Sequence, residues 1–131
     1  IAAPKGYEPD RELVGVASKN PDFVLTDDPK EAVRDADVIY TDVWVSMGQE
    51  KEKTSRKKAF KGYKIDDRLL KAAHRDAIVM HCLPAYRGQE ITDDVFERFS
   101  DVIFTQAENR LHVQKALLEW LLKGPATAPA E

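Results

Sequence analysis

Val38-Ile39-Tyr40-Thr41 followed by Asp42, and Ile78-Val79-Met80-His81 followed by Cys82-Leu83-Pro84, are two short apolar runs that each stop at a polar turn. Runs of this length, rich in β-branched residues and bounded by turn residues, read as buried strands. Working outward, residues 1–3, 23–26 and 102–105 read as three further strands. The segments between them carry helical signals. Pro9 can open a first helix with Leu13, Val14 and Ala17 on one face. Asp28-Pro29-Lys30-Glu31 has the form of a capping box. Asp66 and Thr92 stand where N-caps belong, ahead of helices expected over 67–74 and 93–99. From about residue 107 to 123, Val113, Ala116, Leu117, Trp120 and Leu121 repeat at helical spacing, and Gly124 follows as a C′ glycine. Strands alternating with helices predict an α/β fold, a mainly parallel sheet with helices on both faces.

The chain has 131 residues, the size of one domain. With 43% hydrophobic and 33% charged residues it can build a core, which excludes collagen-like and globally disordered classes. A single cysteine rules out an internal disulfide framework. No apolar run approaches the roughly 20 residues of a membrane span. The net charge of −3 is unevenly spread: residues 51–64 hold seven basic residues and one acid, and the remainder is acidic. That basic run reads as a solvated helix or as a mobile lid near an anionic substrate. Nucleic acid ranks last as its partner, because only Phe60 and Tyr63 interleave the charges. Residues 44–63 as a whole read as a long loop leading into a short basic helix, and loops that long are usually functional.

Ligands of open α/β sheets bind beyond the carboxyl ends of the strands. Applied here, that rule gathers Asp42 to Gly48, Cys82-Leu83-Pro84 and Gln106 to Arg110 at one edge. An Asp and an Arg converging on a cleft suit a substrate with an amine and an anionic group. Each residue also has a plainer role open to it: Asp42 as a cap, Cys82 as a small buried hydrophobe, Met47 as filler, Arg110 as a surface charge. His81 and Cys82, being adjacent in a strand, point to opposite faces and make a poor dyad, while His112 remains a possible base. No zinc-like ligand spacing and no glycine-rich nucleotide fingerprint is present, so no metal or cofactor is expected.

Taken together, the order of these residues is far more specific. Asp42-Val43-Trp44-Val45-Ser46-Met47-Gly48, then His81-Cys82-Leu83-Pro84, then Glu108-Asn109-Arg110 closely resembles ornithine carbamoyltransferase. Pro4-Lys5-Gly6-Tyr7, Arg87-Gly88-Gln89-Glu90-Ile91 and His112-Val113-Gln114-Lys115-Ala116 extend the likeness over nearly the whole chain. The cysteine of the His-Cys-Leu-Pro run resembles the ornithine rather than the aspartate enzymes.

The resemblance implies a Rossmann-like domain that transfers a carbamoyl group from carbamoyl phosphate to the δ-amine of L-ornithine. It implies that Asp42 meets the ornithine α-amino group and that Ser46 and Met47 close over ornithine. It also implies Cys82 and Leu83 near the reacting carbonyl and Arg110 against carbamoyl phosphate, with Asp42 and Cys82 as the catalytic pair. The chain resembles only the later part of the family's second domain. The expectation is therefore an incomplete ornithine-binding segment over 1–123, a disordered tail over 124–131, and an absent carbamoyl-phosphate domain that leaves this fragment inactive alone. A homotrimeric full-length enzyme in the cytoplasm, or in the mitochondrial matrix, completes the implied picture. A carbamoyltransferase for another amine such as putrescine, or a non-catalytic amino-acid-binding module, are the alternatives.

Overall fold

The computed structural model describes residues 1–124. Residues 125–131, most of the expected tail, lie outside the described residues. Its elements, in chain order, are α1 (Arg11–Ala17), α2 (Pro29–Ala32), β1 (Val38–Thr41), a 3-10 turn (Glu50–Glu52), α3 (Lys53–Ala59), α4 (Asp67–Leu70), β2 (Ile78–His81), α5 (Asp93–Arg98) and α6 (Ser100–Lys123).

The two strands that anchor the sequence reading pair with each other in parallel, with Val38 opposite Ile78 and Thr41 opposite His81. Their inward residues, Ile39 and Val79, join Val33, Ile65, Leu69, Ile91, Val95, Phe96 and Ile103 in one core. Two extended segments close it off. Ile65 N–H donates to the Glu90 carbonyl at 2.8 Å and Thr92 N–H to the Ile65 carbonyl at 3.1 Å, which fixes Glu90 and Ile91 against the core. The α/β class with parallel pairing is as expected.

Local signals work as short-range rules predict in some places and not in others. Asp28 accepts from Lys30 N–H at 2.9 Å, but Glu31 does not close a capping box, because its carboxylate takes the Thr26 hydroxyl. Asp10 rather than Pro9 starts α1, accepting from Glu12 N–H at 2.8 Å. Asp66 caps α4 through Arg68 and Leu69 N–H, yet the helix stops at Leu70. Thr92 stands at the N-cap of α5 without a side-chain bond. The loop and basic helix expected over 44–63 are present.

Three strand expectations need correction. Residues 1–3 and 23–26 meet only in one parallel bridge, Ala2 with Thr26, held by two backbone hydrogen bonds of 3.0 Å. Residues 102–105 are helical, because α6 begins at Ser100. The β-branched residues of that run favour a strand locally, but tertiary packing overrides so weak a preference. In helical phase, Ile103 N–H bonds the Phe99 carbonyl at 3.0 Å and the Ile103 side chain is fully buried beside β2, while Phe104 meets Phe96 edge-on. The stripe Val113, Leu117, Trp120 and Leu121 is exposed on α6 rather than packed.

Candidate functional site

Parallel register brings the site together. With Thr41 opposite His81, the next residue of each strand, Asp42 and Cys82, falls at the same carboxyl edge. There the Asp42 carboxylate and the Tyr40 phenol lie near enough to the Cys82 thiol to act on its ionisation, and Gln106 of α6 near enough to act on Tyr40. Partial burial, and then the Asp42 charge, push the Cys82 thiol above the ordinary cysteine range, against an opposing effect of Tyr40. Burial first and then Cys82 likewise raise the Tyr40 phenol. A thiol shifted in this direction favours its protonated form at neutral pH.

That state is checked by alkylation. The pH profile of iodoacetamide labelling should reveal a thiol titrating above the usual pKa of about 8.5, and Asp42→Asn should shift the profile downwards by removing the adjacent negative charge. A profile unchanged by Asp42→Asn would mean that the carboxylate does not act on the thiol.

His81 faces away from Cys82, into the interior, and is fully buried together with Glu90. Leu83 N–H donates to His81 Nδ1 at 2.9 Å, so the ring proton resides on Nε2, which donates to Glu90 Oε1 at 3.2 Å. Glu90 Oε1 also accepts from Tyr86 N–H at 2.5 Å, and Oε2 has no partner among the described residues. The His81 backbone N–H is held by Gln106 Oε1 at 3.0 Å. This buried set pins the turn after β2, where Leu83 adopts φ 55°, a conformation that a non-glycine residue takes only at some energetic cost. Sequence reasoning gathered Gln106 at this edge but missed the roles of Tyr40 and Glu90, which only packing reveals.

Asp42 also lines a cavity of about 270 Å³ whose walls include Trp44, Phe60, Tyr63 and Ile65. Trp44 stacks on Phe60 with centroids 6.2 Å apart, and Tyr7 and Tyr63 meet Phe60 edge-on. These rings seat the end of α3 over the strand ends.

The other sequence candidates are more scattered. Ser46 and Met47 line a separate pocket with Lys53, Lys57 and Tyr86, and Met47 is 98% exposed. Leu83 stands beside Cys82 and packs against the core. Arg110 is an exposed residue well inside α6, in a surface pocket with Gln106 and Asn109, and not at a strand end. The strand that was expected to deliver Arg110 to the site edge is part of that helix. His112 pairs with Glu108 at 3.1 Å one turn back on α6, so it is committed elsewhere. Among the described residues no group of three or more His, Cys, Asp or Glu side chains could hold a metal ion. No helix among them is long and apolar enough to cross a membrane.

Residues 1–121 match the family described as aspartate/ornithine carbamoyltransferase, Asp/Orn binding domain. The chain belongs to this family. The ornithine carbamoyltransferase of Geobacter metallireducens is 56% identical over 125 residues, which are 94% of this chain and 41% of that protein. The chain thus spans well under half the length of the curated relatives it matches. Among solved structures, the anabolic ornithine carbamoyltransferase of Campylobacter jejuni superposes with a TM-score of 0.88 at 45% identity, over 95% of this chain and 43% of that one. The ornithine carbamoyltransferase of Pyrococcus furiosus gives 0.78 at 50% identity, over 90% and 39%. These likenesses make the domain a Rossmann-like member of the carbamoyltransferase fold.

Proposed function

We propose that this chain is the acceptor-side portion of an ornithine carbamoyltransferase, which converts L-ornithine and carbamoyl phosphate to L-citrulline and phosphate. The observation that carries this reading is Asp42 and Cys82 side by side at the ends of adjacent parallel strands, in a chain of this family.

In this reading Asp42 takes the α-ammonium group of ornithine, and Ser46 and Met47 close over the amino acid. Cys82 and the Leu83 segment stand near the reacting carbon, and Arg110 meets carbamoyl phosphate across a domain interface. The δ-amine must lose a proton before it can attack, since a free alkylamine has a pKa near 10.4. Burial in a closed site disfavours the ammonium form, and a phosphate oxygen of the donor can receive the proton. A protonated Cys82 positions rather than deprotonates. The same reading places residues 1–123 in the ornithine-binding domain, with activity dependent on a carbamoyl-phosphate domain. It also makes the full-length enzyme a cytoplasmic homotrimer of arginine biosynthesis.

The test is a steady-state assay of the full-length protein with carbamoyl phosphate and either ornithine or putrescine. Citrulline formation with ornithine strongly preferred is the expected result. Absence of citrulline, or preference for putrescine, would overturn the assignment.

A further inference from the structure

Lys53 and Lys57 stand where helix stability argues against them. α3 carries no acid of its own, and Lys53 opens it, at the end where the helix dipole disfavours a cation. Lys57 follows one turn later, which makes a like-charge pair at i, i+4. Neither takes part in a salt bridge among the described residues, whereas Arg56 of the same helix is paired with Glu52 at 2.8 Å. The two lysines instead line the pocket of about 140 Å³ that Ser46 and Met47 also border. The acid in its wall, Glu50, already accepts from Gly48 N–H at 3.0 Å.

This pocket adjoins the cavity at Asp42. Trp44 lines the cavity and Val45 the pocket, and these residues are consecutive. α3 reaches both, with Lys57 on the pocket and Phe60, just past its end, on the cavity. The two ammonium groups thus stand at the rim of the strand-end site, close enough for a field that decays over about 10 Å at 0.1 M salt.

We propose that Lys53 and Lys57 form an electrostatic guide that draws the anionic carbamoyl donor to the strand-end site. The inference rests on the functional reading above. A phosphoryl group carries about 1.5 to 2 negative charges at neutral pH. Unpaired cations at the mouth of a cleft concentrate such an anion and raise its rate of encounter. Ornithine, with two ammonium groups and one carboxylate, is a net cation and gains nothing from them. The like-charge pair costs the helix some stability, and an anion between the two charges offsets that cost.

The experiment compares the full-length wild type with the double variant Lys53→Gln/Lys57→Gln and with Lys58→Gln, which removes a charge from the same helix but from neither pocket. At an ionic strength of about 0.01 M, kcat/KM for carbamoyl phosphate should fall about three- to tenfold in the double variant and less than about twofold in Lys58→Gln. The difference should vanish at about 1 M salt. In the double variant kcat should stay at the wild-type level and kcat/KM for ornithine should not fall. Its urea midpoint should hold or rise, because the like-charge pair is gone. Equal donor kcat/KM in the wild type and the double variant at low salt overturns the proposal. So does a loss that persists at high salt or extends equally to ornithine, the mark of a contact or a structural role. An equal loss in Lys58→Gln assigns the effect to net charge and overturns it too. A wild type that forms no citrulline overturns the functional reading, and this proposal with it.

Discussion

Asp42→Ala in the full-length protein is expected to lower kcat/KM for carbamoyl transfer by about 10²- to 10³-fold, the scale of losing one well-placed charged group in a closed site. Two observations set that expectation. Asp42 stands beside Cys82 at the strand ends through the register of β1 and β2, and its charge acts on the thiol. Its removal should cost acceptor binding and also change the thiol. Cys82→Ser should cost much less, since a hydroxyl beside Asp42 keeps its proton as the shifted thiol does. A Cys82→Ser loss equal to that of Asp42→Ala would mean that a thiolate, and not a positioned donor, is needed. Full activity in Asp42→Ala would remove the site from this edge of the sheet altogether.

The second large effect is on stability. Glu90→Ala should lower the unfolding free energy by ~2–4 kcal/mol, the cost of leaving two buried neutral donors without their acceptor. In that variant, His81 Nε2–H and Tyr86 N–H both lose their acceptor in a region closed to water. Glu90→Gln keeps an oxygen for both donors, and its new NH₂ group falls where Oε2 has no partner, so it should cost only about 1 kcal/mol. Urea unfolding, read as a shift in midpoint at constant slope, distinguishes the two. Equal losses in both variants would show that the negative charge, rather than the acceptor oxygen, is what the interior requires. Glu90→Ala should also loosen the Leu83 turn, because His81 Nδ1 holds the Leu83 N–H only while the ring is correctly oriented.

The contrast between these residues shows what a sequence can disclose. Asp42, Cys82 and the Ser46-Met47-Gly48 run are legible because chemistry and order combine into motifs at strand ends. Glu90 is not, since an acid in a polar stretch reads as surface until the pairing of residues 65 and 91 folds it inwards. The run before Arg110 shows the reverse error: its β-branched residues suggested a strand that would deliver Arg110 to the site edge. The burial of Ile103 in helical phase makes that run part of α6 instead.

By itself, the sequence determined the parallel α/β class, the two anchoring strands, the caps at Asp28 and Asp66, and a family membership spread across nearly the whole chain. Those features depend on local periodicity and residue identity, which a linear text preserves. Only the tertiary structure decided which residues meet. A one-residue slip between β1 and β2 would separate Asp42 from Cys82, and the register is fixed only when Ile39 and Val79 enter the core together. The protonation of Cys82, the inward turn of His81 onto Glu90 and the capture of Gly48 by Glu50 likewise depend on distances and burial, which exist only once the chain has folded.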